Sequence, residues 1–385
     1  MIPSNSFSDD ALTLEEGMTT ETAVAMALSD SRPLAPMSDE PEAIALANGV
    51  AHRVFQQTRP QQVPILDEEM PNCNDNCIHC GVADIMANAR TITFSEIVAH
   101  LEGLRRTGAD AVMFAVSELT IRPDFIRIVR TAKARGFTTI AVVTNARRMA
   151  YLEFTRSVVE AGATHFLVSV YGATARVHES MTRTPQSFEQ TIQGLDHLLA
   201  HDVKVMTNTV ITRRNVDSLG EIVGFLGDRG VTRSCLSLVQ IIGNAEKHVD
   251  RLLVRMEDAA VAVRKAVEEG HSRGMLMGIG GMPYCQLPDL EGCFGVDDLS
   301  VIHNADERDQ ITSKSPYAAS RMCSTCRYVA VCPGVQEAYL EREGDAELRP
   351  VGGPRLTRRP LSELGVGMFP QLFHPWTGDS GDFKV

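Results

Sequence analysis

Along most of this chain the hydrophobic positions alternate between two patterns. Short continuous apolar runs, suited to strands buried on both faces, are separated by longer segments with apolar residues every three or four positions, the spacing of amphipathic helices. The pattern predicts strands at Val63–Asp67, Ala111–Val116, Thr138–Thr144, Thr164–Val170, Val203–Thr212 and Cys235–Ile242. Between and after them it predicts helices at Ser95–Thr107, with Ser95 as N-cap, and at Asp124–Arg135, Ala150–Glu160, Pro185–His201, Val216–Asp228 and Met256–Ser272. Gly136, Gly162 and Gly230 fall where helices need a left-handed terminator.

This is a βα unit repeated six times at a period of roughly thirty residues, which implies a parallel sheet with helices outside. An open doubly wound sheet fits the alternation too. The similar crossover lengths favour a barrel, as do the polar and cysteine-bearing stretches that follow the C-terminal ends of strands. Six units do not close an eightfold barrel, so the expected fold is α/β, a partial (β/α)6 TIM-like barrel, followed by a cysteine-rich C-terminal domain. The expected organisation is a polar N-terminal arm with a helix at Pro41–Gln57 (1–60), the barrel (61–275), the cysteine-rich domain (276–343) and a tail (344–385). Gly278-Ile-Gly-Gly281 reads as a tight turn into the cysteine-rich segment, and Val335–Glu343 as a helix.

Composition narrows the class. Hydrophobic residues make up 44% and charged residues 22% of 385 positions, ordinary for a globular enzyme. A formal net charge of −12 repels polyanions and argues against nucleic-acid or anionic-membrane binding. No apolar run approaches the ~20 residues that span a bilayer. The acidic N-terminus resembles neither a secretory signal nor a transit peptide, so the expected location is cytoplasmic.

Two cysteine groups carry the chemistry. Cys73, Cys77 and Cys80 are spaced C-x3-C-x2-C directly after the first predicted strand. Three thiolates can hold three irons of a [4Fe–4S] cluster and leave the fourth iron open to a small molecule. Zinc is the alternative occupant, with His79 as a fourth donor. Cys323, Cys326 and Cys332, spaced C-x2-C-x5-C, form with Cys285 a second set of four. They suit another [4Fe–4S] cluster or a zinc ion. Cys293 either replaces Cys285 or stands apart, and Cys235, inside the sixth strand, reads as a core thiol.

The C-x3-C-x2-C loop after a first strand, followed by βα repeats, resembles the radical S-adenosylmethionine (SAM) superfamily over about residues 63–340. The resemblance implies that Cys73, Cys77 and Cys80 ligate the cluster and that SAM chelates its open iron. Reductive cleavage of SAM then gives a 5′-deoxyadenosyl radical that abstracts a substrate hydrogen. It places His79 against the adenine. The family's Gly-Gly-Glu stretch at the end of strand 2 reads here Val116-Ser117-Glu118, without the glycines, and implies Ser117 and Glu118 as contacts to the SAM amino group. Thr144-Asn145 matches the end of strand 3, Ser169-Val-Tyr-Gly172 the end of strand 4, and Asn208 lies in the stretch that completes the SAM pocket.

The second cysteine set is similar to the C-terminal extension of the SPASM and Twitch subfamilies, with one auxiliary cluster. The resemblance also implies an electron donor such as flavodoxin or ferredoxin. It further implies a small-molecule substrate (a sugar, nucleoside or aminoglycoside) or, alternatively, a ribosomally made peptide; residues 1–60 lack a strand-rich peptide-recognition module. A non-catalytic metal-binding scaffold is the rival of another class, supported by the missing glycines before Glu118.

Overall fold

A computed structural model describes residues 61–64, 73–83, 92–106, 108–115, 117–294, 317–330 and 332–355. The expected helix at Pro41–Gln57, the rest of the N-terminal arm and most of the tail, including Trp376, lie outside the described residues.

Seven parallel strands form one sheet in strictly sequential order. They are β1 (Gln61–Pro64), β2 (Ala111–Ala115), β3 (Thr139–Thr144), β4 (His165–Ser169), β5 (Lys204–Ile211), β6 (Arg233–Leu238) and β7 (Leu276–Gly280). A doubly wound sheet reverses its strand order partway, and this one does not. Every right-handed crossover therefore falls on the same face, and the sheet curls with its helices outside. The expected α/β partial barrel is the observed class, with one strand more than the six anticipated. The helices are α1 (Phe94–Arg106), α2 (Phe125–Ala134), α3 (Leu152–Ala161), α4 (Ala175–Thr182), α5 (Ser187–Leu199), α6 (Leu219–Gly227), the single turns α7 (Asn244–Lys247) and α8 (Val249–Leu252), then α9 (Met256–Ser272) and α10 (Glu337–Glu343).

The alternation of strand side chains divides the interior in two. Val112, Phe114, Ile140, Val142, Phe166, Val168 and Leu236 point outward into the main core beneath the helices. Met113, Ala115, Ala141, Leu167 and Met206 point inward and pack into a small plug inside the barrel. Burying each of the larger side chains contributes about 1.5–3 kcal/mol.

Five departures from the expected elements bear on the site. Helix α1 starts from Thr93, not Ser95. The Thr93 hydroxyl accepts the Glu96 N–H at 3.3 Å while the Glu96 carboxylate accepts the Thr93 N–H at 2.8 Å, a reciprocal capping box. The Tyr171–Thr184 stretch contains a helix, α4, that the hydrophobic pattern does not predict; it is capped by the Thr174 side chain and ends at a left-handed Arg183. Strand β6 begins two residues earlier and ends at Leu238. Beyond it Val239 and Ile241 are buried with residues of the C-terminal segment: the Gln336 side chain accepts the Ile241 N–H and donates to the Val239 carbonyl, both at 2.8 Å. Residues 276–280, expected to begin the cysteine-rich segment with a turn at 278–281, form β7 in register with β6, Cys235 opposite Gly278. The turn itself is at Gly281, where φ is +72°. Finally, Val335–Gln336 is a short strand, β9, antiparallel to β8 (Tyr317–Ala318), and α10 follows it.

Candidate functional site

The Cys73–Cys80 loop lies at the C-terminal mouth of the sheet, gripped by the turns that follow three other strands. After β4, the carbonyls of Thr182 and Met181 accept the N–H groups of Asn76 and Ile78 at 3.0 and 2.9 Å. Arg183 donates to the Asn76 carbonyl and side chain, both at 2.6 Å. After β3, the Asn145 amide donates to Asn74 Oδ1 at 2.7 Å and reaches Cys73 Sγ at 3.8 Å. Arg147 donates to the Asn74 carbonyl and to Asp75 at 2.9 Å. That ion pair is nearly dry: the Arg147 and Asp75 side chains are 13% and 1% exposed. After β6, the Asn244 N–H donates to the Cys80 carbonyl at 2.9 Å and its side chain to the Cys77 carbonyl at 3.2 Å. Gly243 makes this approach possible, because a Cβ there would lie 2.8 Å from the Cys80 carbonyl oxygen. Arg147, Arg183, Gly243 and Asn244 were not singled out from sequence. Each is an ordinary turn residue until tertiary structure brings it to the loop.

The other sequence-predicted residues divide by environment. Glu118 is 3% exposed and accepts hydrogen bonds from Thr120, Thr144 and Asn145. Burial raises its pKa against the pull of those donors. Thr144 is buried and satisfied, donating to Glu118 and accepting the Ala146 N–H. Ser117 is half-buried beside Glu118. Ser169 and Asn208 are register neighbours on the inner face of β4 and β5, and Asn208 accepts the Ser237 hydroxyl at 2.8 Å. His79 is buried edge-on against Tyr171, ring centroids 4.5 Å apart. Tyr171 lies in turn 5.5 Å from the His178 ring.

The donor set has the chemistry of a metal-binding loop. Burial, then the Glu118 charge, pushes the Cys73 thiol up to about 12, and burial holds Cys77 well above the usual thiol range. Such thiols stay protonated alone; coordinated iron would deprotonate them. Asp75 Oδ2, His79 Nδ1 and His178 Nε2 are buried and find no hydrogen-bond partner among the described residues. The site therefore keeps unmatched polar capacity. A cubane binds each thiolate through a separate iron, and three thiols with unmatched polar atoms beside them fit such a group.

The second cysteine set comes together. Cys285, Cys323, Cys326 and Cys332 line one cavity with Pro283, Tyr328 and Leu348. The Gly334 and Val351 N–H groups each point at a thiol, Cys332 Sγ and Cys326 Sγ, at 3.4 Å. Cys293 is not in that lining; it packs against the barrel core, where burial raises its pKa. Cys235 is half-buried on the inner face of β6, its sulfur 3.5 Å from Ser237 Oγ. Buried Glu347, which no sequence signal marked, fastens this segment to the barrel: it accepts the Tyr339 hydroxyl at 2.6 Å and the Met256 N–H at the start of α9 at 2.9 Å.

Comparison with known proteins bears on this geometry. Residues 70–226 match the family model of the Radical SAM superfamily. An AdoMet-dependent heme synthase of Methanosarcina barkeri is 27% identical over 323 residues, 71% of this chain and 90% of that protein. A probable GTP 3',8-cyclase of Saccharolobus islandicus is 21% identical over 52% of this chain and 66% of its own length. The mycofactocin maturase MftC of Mycobacterium tuberculosis is 29% identical over 42% of this chain and 40% of its own length. The chain thus spans most of the first relative and less than two thirds of the other two. It carries a radical SAM domain, a domain whose enzymes use a [4Fe–4S] cluster and SAM.

Proposed function

We propose that this radical SAM enzyme holds a [4Fe–4S] cluster on Cys73, Cys77 and Cys80, with SAM at the open iron, and a second [4Fe–4S] cluster on Cys285, Cys323, Cys326 and Cys332. Once loaded, the first centre would supply a one-electron reductive cleavage of SAM and a carbon radical able to take hydrogen from a substrate. The protein's own part is to bind, orient and keep water out. The clamp from Asn145, Arg147, Met181–Arg183 and Asn244 fixes the loop. Ser117, Asn145, Ser169 and Asn208 are the proposed polar contacts for SAM, and the His79–Tyr171 pair forms an aromatic wall for its adenine. The inward plug of Met113, Leu167 and Met206 would help to keep water from a substrate bound at the mouth.

The observation that carries this reading is the C-x3-C-x2-C loop, held at the C-terminal mouth of a sequential parallel barrel inside the stretch that matches the family model. The second cluster is supported by the four thiols in one cavity. It would relay electrons, as in a net oxidation of the substrate radical. A reduced flavodoxin or ferredoxin would supply the first electron.

For substrate, a small molecule is the primary reading. The relative that covers most of this chain is named for heme synthesis, and another for cyclisation of GTP. Peptide maturation is the second reading, favoured by the 29% identity to a maturase over a shorter stretch.

The test is anaerobic reconstitution followed by iron and sulfide analysis and by incubation with SAM and dithionite. About eight irons per chain are expected for two [4Fe–4S] clusters, with 5′-deoxyadenosine released. About four irons would remove the second cluster. Failure to form 5′-deoxyadenosine would remove the reading as a whole.

A further inference from the structure

Glu118 stands where the family resemblance puts a contact to the SAM amino group, and its carboxylate is also tied into the protein. A carboxylate offers two oxygens and about four lone-pair directions. Here four donors address it, three on one oxygen and one on the other. Oε1 accepts the Thr120 hydroxyl, the Thr120 N–H at 3.4 Å and the Thr144 hydroxyl at 2.8 Å. Oε2 accepts the Asn145 N–H at 2.6 Å. The residue is 3% exposed.

What the carboxylate does hold is the turn after β3. Asn145, fixed through its backbone by Glu118, reaches forward with its side chain to Asn74 and Cys73 Sγ. Its own Oδ1 accepts the Arg147 N–H at 3.1 Å, which orients the amide so that the NH2 faces the loop. From the other side, Thr191 of α5 donates to the Asn145 carbonyl at 2.8 Å. Gly194 lets Ala146 rest on that helix, for a Cβ there would meet the Ala146 carbonyl oxygen at 2.1 Å. Ala146 itself is left-handed at φ 59°, a conformation that alanine keeps only when its neighbours enforce it.

We infer that Glu118 is a positioning residue for the cysteine loop, acting through Asn145. The inference rests on the proposed cluster-and-SAM reading of that loop.

The experiment compares Glu118→Gln, Asn145→Leu and the double variant with the wild type, each as the full chain. Hydrogen exchange of peptides covering 73–80 is followed in iron-free protein, and the SAM dissociation constant and SAM-free cluster midpoint potential are measured after reconstitution. In Glu118→Gln an NH2 faces either Asn145 N–H or the two hydroxyls, so one charge-assisted bond is lost. Exchange in the loop should quicken roughly ten- to a hundredfold. The midpoint potential should shift before any SAM is added. Asn145→Leu should reproduce both changes, and the double variant should be no worse than either single one.

If Glu118→Gln leaves loop exchange and potential at wild-type values, the inference is overturned, whatever happens to SAM affinity. If the double variant quickens loop exchange beyond both single variants, the two residues act separately and the inference is overturned as well. Should Glu118→Gln not fold, Asn145→Leu with unchanged loop exchange overturns it, and with faster exchange supports it. A wild type that takes up no iron would defeat the cluster reading instead, and the iron-free exchange comparison would still stand.

Discussion

Gly243 packs closely against the cysteine loop, and substituting alanine there has a calculable cost. Gly243 has φ 60° and ψ −126°, a combination open almost only to glycine. Forcing a residue with a Cβ into such a region costs about 1–3 kcal/mol. The new methyl would also sit 2.7 Å from the Gly81 carbonyl oxygen and 2.8 Å from that of Cys80, both backbone atoms that no side-chain rotation can move aside. Overpacking of this kind adds about 1–3 kcal/mol. The sum, about 4 kcal/mol, is a large part of the 5–15 kcal/mol that holds a typical domain together. The alternative to paying it is a local shift that pulls Asn244 off the Cys80 and Cys77 carbonyls. Gly243→Ala should therefore lower the urea midpoint of the metal-free chain, or, where the loop yields instead, lower the iron bound at the first site. Gly220→Ala is the control. It lies in α6 with no heavy atom within 4 Å of the added Cβ, so it should raise stability by about 1 kcal/mol. A Gly243→Ala protein with wild-type midpoint and wild-type iron would refute the stated contact between the β6–α7 turn and the loop.

Three further outcomes are expected. Alanine at Cys323 or Cys326 should cut reconstituted iron from about eight to about four per chain, while alanine at Cys293 should leave it unchanged, read by iron and sulfide analysis. Gln336→Leu strips partners from the Ile241 N–H and the Val239 carbonyl, and should cost about 2–5 kcal/mol in urea unfolding; a loss below about 1 kcal/mol would mean water replaces the amide there. Burial lowers the His178 pKa from 6.5 to about 4, so below pH 6.5 the unfolded chain takes a proton that the folded chain refuses. Its contribution to stability should accordingly fall as pH drops through the window from about 6.5 to about 4, by up to about 3 kcal/mol. His178→Gln should make that part of the urea-midpoint profile shallower, the remaining slope belonging to His79 and His165, whose pKa values burial also lowers.

What could be read in the sequence depended on how local the determining physics was. Helix α9 matched its expected range, Met256–Ser272, because seventeen residues of unbroken period carry their own evidence. Strand β7 was hidden because glycines at 278, 280 and 281 mimic a turn, and only pairing with β6 makes them a strand. Helix α4 was hidden by its polarity, though His178, Met181 and Thr182 bury one face at i, i+3 and i+4. In the site, both cysteine groups were legible as spacing. Their supports were not: Arg147, Asn244, Gln336 and Glu347 act across 72 to 167 residues of chain in hydrogen bonds that no short pattern encodes.

The two cysteine groups are also tied to each other in a way that spacing could not reveal. One buried cluster, containing Ile78, Tyr171, Val239, Ile241, Val335 and Tyr339, has Cys77 of the first group packed against it, together with Cys285 and Cys323 of the second. The C-terminal segment therefore completes the wall behind the first loop as well as enclosing its own cavity. Val239 and Ile241 link the two: they continue from β6, take their polar partner from Gln336, and lead into Gly243 and Asn244, which hold Cys80. That stretch of backbone is one route, beside the shared apolar cluster, by which a disturbance at the second cavity would reach the first loop. The Gln336→Leu protein tests this link as well as the local cost, since it should lose iron at the first site although Gln336 touches none of the three cysteines there.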